Sequence, residues 1–189
     1  MVNPKRIIGG WVETNNIFLR RMTNKMCGLS ADFALVKQDR GRTIVGYELQ
    51  RPQGSELYNW FEVYFYRKQG DLPSLDQVKA AIEADINEQV KAKIIGGFVW
   101  NDHPVWLSEE NQMNFAQAVC PVTLKVGEQE DGTPIYETFE TQQDVQDFTA
   151  ACVQWKQECL AAGWRRKDAI DWQAYADALE ALKPQPENE

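Results

Sequence analysis

The spacing of apolar residues changes period near residue 72, and that change limits what the chain can fold into. Before it, apolar and polar residues alternate; after it, apolar residues return every three or four positions. The alternation is clearest in the strand predicted from Leu57 to Arg67. Leu57, Phe61, Val63 and Phe65 fall on one side, and Tyr58, Trp60, Glu62, Tyr64 and Tyr66 on the other. The helical period begins after Pro73. Ser74 and Gln77 form an S-x-x-Q capping box, and Val78, Ile82, Ile86, Val90 and Ile94 make an apolar stripe. Lys79, Glu83, Asp85, Glu88, Lys91 and Lys93 are assigned to the wet side, and Gly96-Gly97 ends the helix. Its length is about 30 Å, enough to join one sub-structure to the next.

The flanking segments extend the same division. Upstream, Ile17-Phe18-Leu19 is a short strand. Phe33 to Lys37 and Thr43 to Leu49 form a hairpin about the polar turn 38–42, and 51–55 is a turn. Downstream, Phe98-Val99-Trp100 and Pro104 to Leu107 flank a turn at Asn101-Asp102-His103. Ser108 caps a short helix with Glu109 and Glu110 in its first turn. Val122 to Val126 and Ile135 to Phe139 form a second hairpin around an acidic loop. Thr141 caps a long helix with a seam at Val145, Phe148, Cys152, Trp155 and Cys159. Gly163 is read as its stop, with Trp164 packing back on the last turn, and Asp168 as the start of a final helix. The expected fold is α+β: an N-terminal antiparallel sheet over 1–72, joined by the long helix to a hairpin-plus-helices domain over 73–183. Residues 184–189 read as a disordered tail.

The parts needed for chemistry are sparse. The single histidine, His103, sits in a turn, where a metal ligand or general base has no companion imidazole. The acidic stretch Glu128 to Asp131 lacks the D-x-[DN]-x-[DN]-G spacing of a calcium loop, and neither phosphate-loop nor G-x-S-x-G patterns occur. The four cysteines form no C-x-x-C pair. Cys152 and Cys159 would lie about 10 Å apart along one helix, beyond disulfide reach, and an apolar seam leaves a thiol inert. No catalytic, cofactor-binding or metal residue is therefore assigned, and a non-enzymatic protein is expected. The net charge of −8 opposes a nucleic-acid partner. No apolar run suits a signal peptide or membrane span, so synthesis in the cytoplasm is expected.

The chain is instead rich in rings, with 7 Trp, 6 Tyr and 8 Phe. The face bearing Tyr58, Trp60, Tyr64 and Tyr66 is the candidate interaction surface. Three readings fit it: cover by the Ser74–Ile95 helix, a protein interface (with another protein or a second copy), or stacking on carbohydrate.

The aromatic hairpin from Phe98-Val99-Trp100 through Val105-Trp106-Leu107-Ser108-Glu109-Glu110-Asn111-Gln112 resembles part of a known family. So does Ile135-Tyr136-Glu137-Thr138-Phe139-Glu140-Thr141 with the long helix to Gly163-Trp164 and its basic step into the last helix. Over about residues 75–182 the chain resembles an uncharacterised C-terminal domain of phage and prophage proteins associated with tail fibres and tail assembly. The resemblance implies a phage-derived structural, adaptor or assembly protein that works by binding protein, in the cytoplasm or within a virion. It carries over no catalytic residue.

Overall fold

The computed structural model describes residues 11–14, 17–66 and 72–184, with side chains over 29–66 and 72–184. The expected tail over 184–189 falls almost wholly outside these residues. The fold is α+β and divides into two compact units. One comprises the chain to Asp85 together with the segment from Ile170; the other is Ile86–Ala169. The division falls inside the long helix, whereas the sequence placed a domain boundary before it.

The first unit is built on a five-stranded sheet in the order β1-β2-β5-β4-β3, with every neighbouring pair antiparallel. Its strands are β1 (Trp11–Thr14), β2 (Ile17–Gly28), β3 (Val36–Asp39), β4 (Arg42–Gln50) and β5 (Tyr58–Tyr66). The β3–β4 hairpin closes on Arg40 and Gly41, with φ of 48° and 77°. Two positive-φ residues match the right-handed strand twist. Phe33 to Leu35, read as strand, lie outside β3.

Helix α1 (Leu75–Gly96) starts as the sequence requires. Ser74 N–H donates to Gln77 Oε1 at 2.9 Å and Gln77 N–H to Ser74 Oγ at 3.2 Å. Val78, Ile82 and Ile86 are fully buried. Asp85 departs from the expected wet face: it is 0% exposed and accepts a hydrogen bond from the Tyr47 hydroxyl. Tyr47 lies on the sheet face that also carries Val45, Val63 and Phe65, all buried. A carboxyl beside the apolar stripe is tolerated there because a phenol meets it. Helix α4 (Trp172–Ala181) completes this unit. Its cap is Asp171, which accepts from Gln173 and Ala174 N–H, so Asp168 does not begin it. Tyr175 O–H donates to Gly46 O at 2.8 Å.

The second unit holds the end of α1, the hairpin β6–β7 (Phe98–Trp100, His103–Val105), α2 (Glu109–Ala116), the hairpin β8–β9 (Val122–Glu128, Pro134–Phe139) and α3 (Gln142–Asp168). Thr141 and Asp144 form the capping box of α3. The buried seam is Val145, Phe148, Cys152 and Cys159, with Trp155 half-buried beside it. Phe148 sits at the centre of a ring cluster: Phe115 and Phe139 at 5.1 Å, Trp100 at 5.3 Å and Phe98 at 6.4 Å between centroids. Gly163 does not stop α3, which runs on to Asp168, and Trp164 is 60% exposed rather than packed back. The glycine is required by proximity. A Cβ there would stand 2.6 Å from Val90 Cγ2 of α1.

Candidate interaction site

The β5 ring face is assembled by register. Gly46, Ile44 and Arg42 of β4 stand beside Glu62, Tyr64 and Tyr66, and paired residues share a face. Trp60 Nε1 donates to one Glu62 oxygen at 2.8 Å, and the Tyr64 hydroxyl donates to the other. The Arg42 guanidinium lies 5.2 Å from the Tyr64 ring centre and pairs with Asp39 at 2.7 Å. The Asp39 hydrogen bond, then one to Tyr66, holds Arg42 above its ordinary pKa. Burial, and then the bond to Glu62, raises the Tyr64 phenol.

These contacts put the centre of the face inside the unit. Trp60 is 4% exposed and Tyr64 5%; Tyr58 and Tyr66 are half-buried. Phe33 approaches Trp60 edge-on at 5.8 Å. It can do so because Gly46 carries no side chain: a Cβ there would be 2.8 Å from the Phe33 ring and 2.6 Å from Ala34 O. The cover over Trp60 comes from Phe33, and α1 contributes Asp85 to the opposite face. The carbohydrate reading needed exposed rings here, and Trp60 and Tyr64 are not exposed. Gly46 within a β-rich run was the signal of close approach.

A second surface, which the sequence reading passed over, lies in the second unit. Val105 and Leu107 are each 1% exposed, so the alternation of an extended segment turns Trp106 outward, and its indole is 50% exposed. The backbone around it is held firmly. Trp106 N–H donates to Val126 O at 2.7 Å, Leu107 N–H to Ile95 O at 2.8 Å, and Asn111 Nδ2 to Trp106 O at 2.8 Å. Ser108 caps α2 by accepting from Asn111 N–H at 3.2 Å. A Cβ on Gly127 would be 2.4 Å from Pro104 O, so only glycine lets β8 come this close.

Between α2 and β8 these constraints leave an open cleft of about 670 Å³, with Trp106 on its rim and Phe115 and Leu124 in its lining. Glu110 and Asn114 of α2, and Gln117 just past its end, line it at helical spacing; Lys125 and Glu128 of β8 pair at 2.5 Å. His103 is exposed in the β6–β7 hairpin and does not line the cleft. Cys120, Cys152 and Cys159 are free thiols, and Cys27 lies outside the described side chains. Among the described residues no group of His, Cys, Asp or Glu has the arrangement of a metal site, and no helix is long and apolar enough to cross a membrane.

The chain is thus an α+β protein with an open cleft between α2 and β8. Residues 77–183, more than half of the chain, match a family model, and the chain belongs to that family, described as Domain of unknown function (DUF4376). No curated protein and no solved structure matches the chain.

Proposed function

We propose that the chain is a non-enzymatic protein that works by binding another protein, as a phage- or prophage-derived structural, adaptor or tail-assembly protein. The observation supporting the binding reading is the distribution of exposed apolar side chains. Among the residues with described side chains, seven of the ten large ones belong to the second unit: Val99, Trp106, Met113, Val119, Tyr136, Val153 and Trp164. None of the seven belongs to the buried cluster around Phe148. Large exposed rings are the usual anchors of protein interfaces. The phage context rests on the resemblance of the hairpin and long-helix segments. We place the contact on the second unit because Trp60 and Tyr64 lie within the first.

The test is co-expression of the tagged chain with each product of the genes flanking its own, followed by capture and mass measurement by light scattering. A complex of fixed stoichiometry, or a defined homo-oligomer, is expected. A monomer that captures none of them refutes the reading, and a neighbourhood without tail genes refutes its phage part.

A further inference from the structure

We propose that the α2–β8 cleft receives an extended, basic peptide segment of a partner protein, which adds along the outer edge of β8 and lays a side chain on Trp106. This deepens the protein-binding reading and rests on it. The first argument is the strand edge. β8 pairs with β9 alone, and among the described residues its other edge carries one backbone bond outside the ladder, from Trp106 N–H to Val126 O. Beyond that bond the chain turns away into α2, and the space it leaves is the cleft, lined by Leu124 and Lys125. A strand edge beside a groove is the geometry of peptide addition to a sheet.

The second argument is the polar lining. Glu110, Asn114 and Gln117 make no side-chain hydrogen bond among the described residues. Each amide both donates and accepts, which suits the alternating N–H and C=O groups of an extended backbone. The third is charge. Lys125 is already neutralised by Glu128, which leaves the Glu110 carboxylate uncompensated in a chain of net charge −8. A lysine or arginine on the incoming segment answers it, and the half-exposed Trp106 face offers such a cation a second attraction. The cleft volume of about 670 Å³ suits a few residues, not a folded surface. A glycan would use the indole, the amides and the carboxylate, but not the strand edge.

The experiment is selection of a random dodecapeptide display library on the immobilised full-length chain, then anisotropy titration of the enriched peptides. Enriched sequences should carry lysine or arginine beside an apolar residue. Their Kd should rise at least tenfold for Trp106→Ala and for Glu110→Lys. Methylation of alternate peptide amides should abolish binding, as strand pairing demands. Both variants change exposed side chains, and an unchanged circular dichroism spectrum confirms their folding. No enrichment, equal Kd values for the variants, or Trp106-dependent binding to a glycan array in place of peptide each overturns the proposal. A flanking-gene product captured equally by the wild type and by Trp106→Ala overturns the cleft while leaving the protein-binding function intact.

Discussion

Gly163 faces Val90 where α3 meets α1 in the second unit, and the pair yields a signed, two-sided stability prediction. In Gly163→Ala the new Cβ would be 2.6 Å from Val90 Cγ2. Valine is stiff at χ1 and cannot swing its methyl aside, so a backbone shift or a strained rotamer must absorb the overlap, at about 1–3 kcal/mol. Alanine within a helix returns about 0.5–1 kcal/mol relative to glycine, leaving a net change between about zero and a loss of about 2.5 kcal/mol. Val90→Ala alone removes two methyls from a half-buried side chain, costing about 1 kcal/mol. The double variant fits the new methyl into the space left by the old ones and keeps the helical gain. It should therefore be about as stable as Val90→Ala or better, with a coupling of about 1–3 kcal/mol, the whole cost of the overlap. Urea denaturation of the four chains measures this directly. Additivity within about 0.5 kcal/mol, or a Gly163→Ala more stable than wild type, refutes the close-approach account of Gly163.

Phe148→Ala should cost about 3–5 kcal/mol, because that ring touches four others at the centre of the second unit; an unchanged denaturation midpoint would remove it from the core. Tyr47→Phe should cost about 1–3 kcal/mol in urea denaturation by deleting the hydroxyl donated to buried Asp85, and a neutral result would show that the bond contributes nothing net. Burial pushes the Cys152 thiol from its ordinary 9.0 up to about 12, so above pH 9 the unfolded chain sheds a proton that the folded chain keeps. Stability from this group is complete below pH 9 and falls by up to about 1.4 kcal/mol per pH unit as pH rises towards 12. The raised Tyr64 and Tyr175 phenols add to the loss with the same sign. Cys152→Ala should flatten the alkaline slope, and an unchanged slope would refute the assignment.

What was legible in the sequence follows from which forces act locally. Caps act within one turn, so Ser74, Ser108 and Thr141 opened their helices as read; the strand read over 57–67 stands at Tyr58–Tyr66, but Val63, Tyr64 and Phe65 are buried in succession, so its burial does not follow the alternation. Close approach between distant segments has no local signature beyond the glycine that permits it. Gly163 therefore looked like a helix stop and Gly46 like an ordinary strand residue, although each marks where another segment comes within contact distance. Asp85 was assigned to water by its charge; its partner Tyr47 stands 38 positions away. The interaction site divides along the same line. The rings of β5 were found by alternation, but their cover came from Phe33 and Arg42. Trp106 passed as one residue of a hairpin, although buried Val105 and Leu107 on either side force its ring outward.

The extent of the family match bears on how the first unit is put together. The matched segment, 77–183, contains the second unit whole but, from the first, only most of the α1 part and α4. The sheet lies outside it. Two polar contacts cross that limit: Asp85 to Tyr47 and Tyr175 to Gly46 O. Each joins a side chain inside the matched segment to a sheet residue before it. Val78, Ile82, Tyr175 and Leu179 are buried within the same unit. Removing the sheet would take the donor from a buried carboxyl and the acceptor from a buried phenol, and would uncover apolar helix surface, all unfavourable in water. In this chain the matched segment is thus not a self-sufficient packing unit at its two ends, whereas the Phe148 core and the Trp106 cleft draw every residue from Ile86–Ala169. The proposed binding cleft and the Phe148 core therefore both draw on residues of the second unit alone.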